Sequence, residues 1–207
     1  MNTESATLQD LLIVEDDPAL LAYLASSLDS KGFLVRQATD RDSAQDVLRG
    51  ADPPRLVLLD LGLPPAPSTM AEGLAVLDEC LLRSPASKVI VLTGQDESAA
   101  ALEAIRRGAF DFLVKPATIS QVVQALRRAS LFLREESRMA DAGEARVQLT
   151  ARIVEGPKEV AAAAEEQLLR KILGETGYNV AETARRLGLA REHIYYYLNK
   201  YGIRRPA

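Results

Sequence analysis

Four short apolar runs in this chain end abruptly at polar side chains. Residues 11–14 stop at Glu15 and Asp16, residues 56–59 at Asp60, residues 89–92 at Thr93, and residues 112–114 at Lys115. Runs of this length, rich in Leu, Val and Ile and continuous rather than alternating, fit strands buried on both faces of a parallel sheet. Helical periodicity fills the intervals: Leu20, Leu21, Leu24 and Leu28 mark one face, Leu74, Leu77 and Leu81 a second, and Ala101, Ala104 and Ile105 a third. Thr118 and Gln121 read as a capping box opening the helix that carries Val122, Leu126, Ala129 and Leu133. Five strands alternating with five helices predict an α/β fold, a doubly wound five-stranded parallel sheet. The carboxyl ends of such strands share one edge, where ligands bind. Glu15, Asp16, Asp60, Thr93 and Lys115 are therefore predicted to meet in one pocket.

From about Arg134 to Gly156 the apolar periodicity weakens, and Gly143, Gly156 and Pro157 punctuate a charged stretch that reads as a linker. Its first half can continue the fifth helix. The last fifty residues are helical in pattern. Val160, Ala164, Leu168 and Ile172 recur every fourth position, joined by Ala161, Leu169 and Leu173, a face too broad to leave in water. Asn179 with Glu182 forms a capping-box-like start for residues 180–187, Gly188 allows a tight turn, and residues 191–201 form the next helix with Ile194 and Leu198 inward. This is a helix-turn-helix, a small all-α domain. The predicted organisation is a first domain at 1–134, a linker at 135–156 and a second domain at 157–207.

The set of three acids, a hydroxyl and an amine suits phosphoryl transfer onto a carboxylate. Clustered acids repel one another and hold a hard divalent cation such as Mg²⁺ through oxygen, and a carboxylate can serve as the nucleophile. A hydroxyl and an ammonium can hold the remaining phosphoryl oxygens. Taken singly, each residue has a plainer reading as a helix cap or turn residue. Asp17 is read that way, as solvated or as a cap.

The motifs IVEDD (13–17), LLDLGLP (58–64), VLTG (91–94) and FDFLVKP (110–116) resemble the receiver domain of two-component response regulators, a flavodoxin-like fold. The resemblance implies that Asp60 is the phosphoacceptor and that Glu15, Asp16 and Asp60, with the backbone carbonyl of Gly62, hold Mg²⁺. It implies phosphoryl contacts from Thr93 and Lys115, a switch pair of Thr93 and Phe112, and a cis peptide bond at Lys115-Pro116. Gly62 and Gln95 stand where the family tunes hydrolysis. The partner implied is a sensor histidine kinase or a phosphotransfer protein. One departure is the Pro-rich segment 64–72, longer than the family's usual turn, which is predicted to stay extended and project beside the pocket.

NVAETARRLGLAREHIYYYLNKYGI (179–203) resembles the DNA-binding module of the factor for inversion stimulation (Fis), which also ends regulators of the nitrogen regulator C class. By position this implies DNA contacts from Arg191, Glu192, His193, Tyr195 and Tyr196, with Asn199 and Lys200 nearer the backbone and Arg185 and Arg186 reaching phosphates. The apolar face of residues 158–173, which one short helix-turn-helix cannot cover, predicts a C-terminal homodimer. Two departures stand out: the Tyr195-Tyr196-Tyr197 run replaces a usually basic stretch, and Ala190 sits where Ser or Asn caps the recognition helix, a loss of about 0.5–2 kcal/mol. The alternative is an adaptor whose C-terminal module mediates protein contact or dimerisation instead of binding DNA.

Composition narrows the field further. The 207-residue chain is 47% hydrophobic, enough for one ordinary domain and a small one. Its net charge of −4 hides an asymmetry: residues 1–140 carry fourteen basic and twenty acidic side chains, whereas residues 157–207 carry nine basic and six acidic. A basic C-terminal end points to nucleic acid. The single Cys80 allows no disulfide within the chain. The start, Met1-Asn2-Thr3-Glu4-Ser5, lacks a signal-peptide pattern, and no apolar run nears the roughly 18 residues of a membrane span, so a cytoplasmic protein is predicted. No Gly is directly followed by Lys, which excludes a Walker A loop and the ATPase that larger regulators place between these modules. The protein is therefore read as no enzyme beyond promoting its own aspartyl phosphorylation and dephosphorylation. Its layout resembles the short redox and photosynthesis regulators. An aspartate-nucleophile phosphatase would need a second Asp two residues after the first, and Asp60-Leu61-Gly62 lacks it.

Overall fold

The computed structural model describes residues 9–94, 98–147 and 156–205; the start of the chain, Gln95 and part of the predicted linker lie outside the described residues. The chain forms two compact units, Met1–Leu81 with Ser87–Leu133, and Leu82–Ala86 with Arg134–Ala207.

Five strands, β1 (Gln9–Val14), β2 (Phe33–Ala38), β3 (Leu56–Asp60), β4 (Lys88–Thr93) and β5 (Asp111–Val114), alternate with helices α1 (Pro18–Asp29), α2 (Arg41–Leu48), α3 (Ala71–Arg83), α4 (Ser98–Arg107) and α5 (Ile119–Asp141), all in the first unit except α3 beyond Leu81 and α5 beyond Leu133. All strand pairs are parallel, in the order β2-β1-β3-β4-β5. The central strands feed both faces of the sheet. Leu11, Ile13, Leu56, Leu58, Ile90 and Leu92 pack with α1 and α5, and the alternate residues Leu12, Val14, Val57, Leu59, Val89 and Val91 pack with α2, α3 and α4. All are almost fully buried, each contributing about 1.5–3 kcal/mol relative to exposure. That double burial is why the runs read as continuously apolar.

Local signals set the helix ends. Asp17 caps α1, its Oδ1 accepting from the Ala19 and Leu20 amides at 2.8 and 3.1 Å. Thr118 and Gln121 form a reciprocal box at α5: the Gln121 amide donates to Thr118 Oγ1 at 3.3 Å and the Thr118 amide to Gln121 Oε1 at 2.8 Å. The Pro-rich segment departs from expectation. Pro67–Thr69 form a 3₁₀ turn, held by the Thr69 amide and hydroxyl on the Ala66 carbonyl at 3.0 and 2.8 Å, and Met70 packs on the core. Proline's fixed φ suits the first position of such a turn as well as an extended chain, so composition alone did not decide between them.

The second unit contains α6 (Pro157–Glu175), α7 (Val180–Leu187) and α8 (Arg191–Lys200). Leu169, Leu173, Ala184, Ile194 and Ile203 form its core. Gly188 ends α7 at φ +64, a left-handed conformation that its missing side chain permits. Among the described residues, no helix is long and apolar enough to cross a membrane.

Candidate functional site

Sheet register brings the polar strand ends together. Val14 is paired with Leu59, so Glu15 follows on one side of Asp60; Leu92 is paired with Asp60, so Thr93 follows on the other. Thr93 is paired in turn with Val114, and the Lys115 amide donates to the Thr93 carbonyl at 2.7 Å. The Lys115 side chain reaches back across the edge, its Nζ lying 2.7 Å from Asp60 Oδ2 and 2.9 Å from Glu15 Oε2. Asp60 Oδ1 accepts from the Gly62 amide at 3.2 Å. Carboxylate oxygens of Glu15, Asp16 and Asp60 all lie within 4.8 Å of one another.

Burial makes this a tense arrangement. Glu15 is 1% exposed and Asp60 7%, while Asp16 is open to solvent. Burial and the neighbouring Asp60 charge raise the Glu15 pKa against the opposing hydrogen bond from Lys115. Burial works against the Lys115 ammonium too, but its hydrogen bonds to Asp60 and Glu15 outweigh that and hold its pKa above the usual value. Three carboxylates with one compensating ammonium leave negative charge in excess. All the donors are hard oxygens, a set that fits Mg²⁺. Thr93 is buried at the end of its strand, Phe112 is 42% exposed on β5, and Lys115-Pro116 is cis.

Gly73 explains how α3 can start so close to the acidic residue. A Cβ there would lie 2.4 Å from Leu61 Cα and 2.6 Å from Leu61 O. Only glycine lets the helix press against the backbone beside Asp60.

In the second unit α8 follows the α7 turn with no side-chain cap at Ala190, as its sequence predicts. Arg191, Glu192, His193, Tyr195, Tyr196, Asn199 and Lys200 are all exposed. Several of the predicted phosphate-contacting cations are already engaged. Arg185 lies 2.5 Å from Glu182, Arg186 lies 3.2 Å from Glu182 and 3.3 Å from Glu175, and Lys200 lies 2.7 Å from Glu165. Glu182 thereby leaves the capping box half made: Asn179 Oδ1 accepts from the Glu182 amide at 3.1 Å, but the Glu182 carboxylate turns to the arginines. Tyr201 also donates its hydroxyl to Glu165, and Lys200 sits 4.6 Å above the Tyr201 ring. Sequence reading missed these acidic partners. The spacing of Glu182 with Arg185 and Arg186 was a visible helical-pair signal, whereas Glu165 and Lys200, thirty-five residues apart, offered none.

A parallel sheet with an acidic cluster at its carboxyl edge, joined to a helix-turn-helix, defines a class that the comparisons identify. Residues 11–127 match the response regulator receiver domain, and residues 161–201 match the bacterial regulatory protein, Fis family. The chain belongs to the response regulators, as a receiver joined to a Fis-family helix-turn-helix. The photosynthetic apparatus regulatory protein RegA of Rhodovulum sulfidophilum is 30% identical over 193 residues, covering 92% of this chain and 91% of RegA. The acid tolerance regulatory protein ActR of Rhizobium meliloti is 29% identical over 195 residues, covering 93% and 87%. The nitrogen assimilation regulatory protein NtrX of Azorhizobium caulinodans is 34% identical over 131 residues, and the match spans only 28% of NtrX and 62% of this chain. Among solved structures, the receiver domain of NtrX from Brucella abortus matches with a TM-score of 0.53 at 35% identity, over 58% of this chain and 97% of that one. A response regulator from Burkholderia pseudomallei, solved with a phosphorylated aspartic acid, calcium ion and citrate, matches with a TM-score of 0.52 at 26% identity, over 90% and 96%.

Proposed function

We propose that this response regulator is a phosphorylation-controlled, DNA-binding transcription regulator whose phosphoacceptor is Asp60. The observation that carries this reading is the meeting of Asp60 with Glu15, Asp16 and Lys115 at one sheet edge. An Asp60 carboxylate oxygen attacks the phosphorus of a phosphohistidine on a sensor kinase or phosphotransfer protein. A P–O bond forms, the P–N bond breaks, and the donor imidazole keeps its electron pair. Glu15, Asp16, Asp60 and the Gly62 carbonyl would hold Mg²⁺, which would offset charge on the incoming group. Lys115, released from the Asp60 carboxylate, follows the charge onto a phosphoryl oxygen, and the Thr93 hydroxyl donates to another. Thr93 and the half-exposed Phe112 form the switch that carries the change outward.

Incubation with acetyl phosphate and Mg²⁺ yields one acid-labile, hydroxylamine-sensitive phosphoryl group, absent from Asp60→Asn. Equal labelling of that variant refutes the assignment.

At the other end, α7 and α8 address duplex DNA through Arg191, Glu192, His193, Tyr195, Tyr196 and Asn199, with Arg185, Arg186 and Lys200 as the cations nearest the backbone. Val160, Ala164 and Leu168 of α6, only half-buried, support a homodimer formed through that helix. Sedimentation of the full chain with and without beryllofluoride tests it: a monomer in both states removes the dimer, and an assembly indifferent to beryllofluoride removes the switch. The pairing of Arg185, Arg186 and Lys200 with carboxylates favours a second reading, protein contact by this module. Binding to a duplex at low salt separates the two.

A further inference from the structure

The three consecutive tyrosines of α8 do different things. Tyr197 turns inward with Ile194 and Leu198, stacked on Tyr201 with ring centroids 6.2 Å apart and planes 5° apart. Arg191 with Tyr195, and Glu192 with Tyr196, each stand four positions apart, so with Asn199 they form one outward stripe along the helix. Tyr195 is 57% exposed and Tyr196 60%, the Tyr196 ring meeting Tyr197 edge-on with centroids 5.4 Å apart. Large aromatic surface left open on a ten-residue helix costs solvation unless a partner covers it. The stripe carries no net charge, one Arg191 against one Glu192. Arg185, Arg186 and Lys200 are held by Glu182, Glu175 and Glu165.

We infer that Tyr195 and Tyr196 determine the sequence preference of this module by packing their rings on thymine methyl groups in the major groove. The inference rests on the DNA-binding reading above. The second helix of a helix-turn-helix is the one that enters the groove, and there the C5-methyl of thymine is the apolar group a base edge presents. Two uncharged rings on the entering face match that group, as they do not match phosphate. Arg191, at the start of the same stripe, keeps the bidentate geometry for guanine.

The test uses the full chain. It is allowed to select duplexes from a randomised pool, and the recovered duplex is remade with deoxyuridine in place of individual thymidines, which removes the methyl alone. Selected half-sites contain thymine, and deoxyuridine at a contacted position weakens binding on the order of four-fold, the equivalent of one buried methylene. The Tyr195→Ala, Tyr196→Ala double variant binds both duplexes equally, whereas the double Phe variant retains the difference because the ring carries the contact. The thymine-to-uracil comparison needs no variant, so a folding defect cannot imitate it. A selected duplex that binds equally well with deoxyuridine throughout overturns the inference while leaving DNA binding in place. No enrichment of any sequence overturns the inference, and only the further failure to retain any duplex at low salt overturns DNA binding with it and assigns the stripe to a protein partner.

Discussion

Replacing Gly73 by alanine adds one carbon where there is no room for it. The new Cβ would stand 2.4, 2.6 and 2.8 Å from Leu61 Cα, O and C, all backbone atoms. Ordinary contact between such atoms needs roughly 3.5 Å or more, so the segment must move by about an ångström. Leu61 cannot yield easily. Its side chain is fully buried, its amide donates to Leu92 O at 3.4 Å, and its carbonyl accepts from the Leu63 amide at 3.0 Å. Overpacking of this kind costs about 1–3 kcal/mol, and the strain falls one residue from Asp60. Gly62→Ala is the matched control, because its Cβ would meet nothing nearer than Pro67 O at 3.7 Å. Urea unfolding followed by far-UV circular dichroism should show Gly73→Ala destabilised by that amount and Gly62→Ala little changed. Acetyl phosphate labelling should be slowed in Gly73→Ala even where the protein remains folded. A Gly73→Ala protein as stable as the parent, labelled at the parental rate, would refute the claim that this close approach positions the acidic residue.

Three further outcomes follow from the same geometry. Mg²⁺ should raise the thermal midpoint by mass action on the folded state, and Asp16→Ala should abolish the rise; an unchanged response would count against the metal site. Burial pushes the Cys80 thiol up to about 12, so a thiol reagent at neutral pH should label Cys80 only on unfolding; rapid native labelling would contradict its burial. Hydrogen bonds from Lys200 and Tyr201 hold the Glu165 carboxyl below its ordinary 4.5, so the stabilisation from this clamp is present above 4.5 and disappears as pH falls through the lower folded value. A Glu165 carboxyl resonance titrating at or above 4.5 would disprove the clamp.

The parallel sheet was legible because a strand buried on both faces leaves a continuous apolar run, and because each run ended at a polar residue that parallel topology carries to one edge. Asp60 beside Glu15 and Lys115 is a consequence of register, with Val14 opposite Leu59 and Asp60 opposite Leu92. The Pro-rich turn was not legible, since proline permits both the extended and the 3₁₀ conformation. Gly73 was visible only as the end of that segment, because close approach of two backbones leaves no periodic trace. In the C-terminal unit the helix limits followed from caps and turn residues. The side-chain pairing did not, because Glu165 meets Lys200 through tertiary packing of α6 on the end of α8.

That pairing changes what the basic character of the C-terminal region means. Nine basic against six acidic side chains suggests a surplus available to phosphates, yet Glu165, Glu175 and Glu182 draw Lys200, Arg186 and Arg185 into intramolecular pairs. Lys171 is buried, its Nζ donating to the Arg146 carbonyl at 3.1 Å. A cation already paired with a carboxylate must exchange that partner to reach a phosphate, so it adds less to affinity than a free one. Each phosphate neutralised contributes to the salt dependence of binding, and the exposed cations of this region with no carboxylate partner among the described residues are Lys158, Arg191, Arg204 and Arg205. Phosphate contacts carry no sequence information, so discrimination falls to base contacts. On α8 the outward groups suited to that work are Arg191 and the rings of Tyr195 and Tyr196.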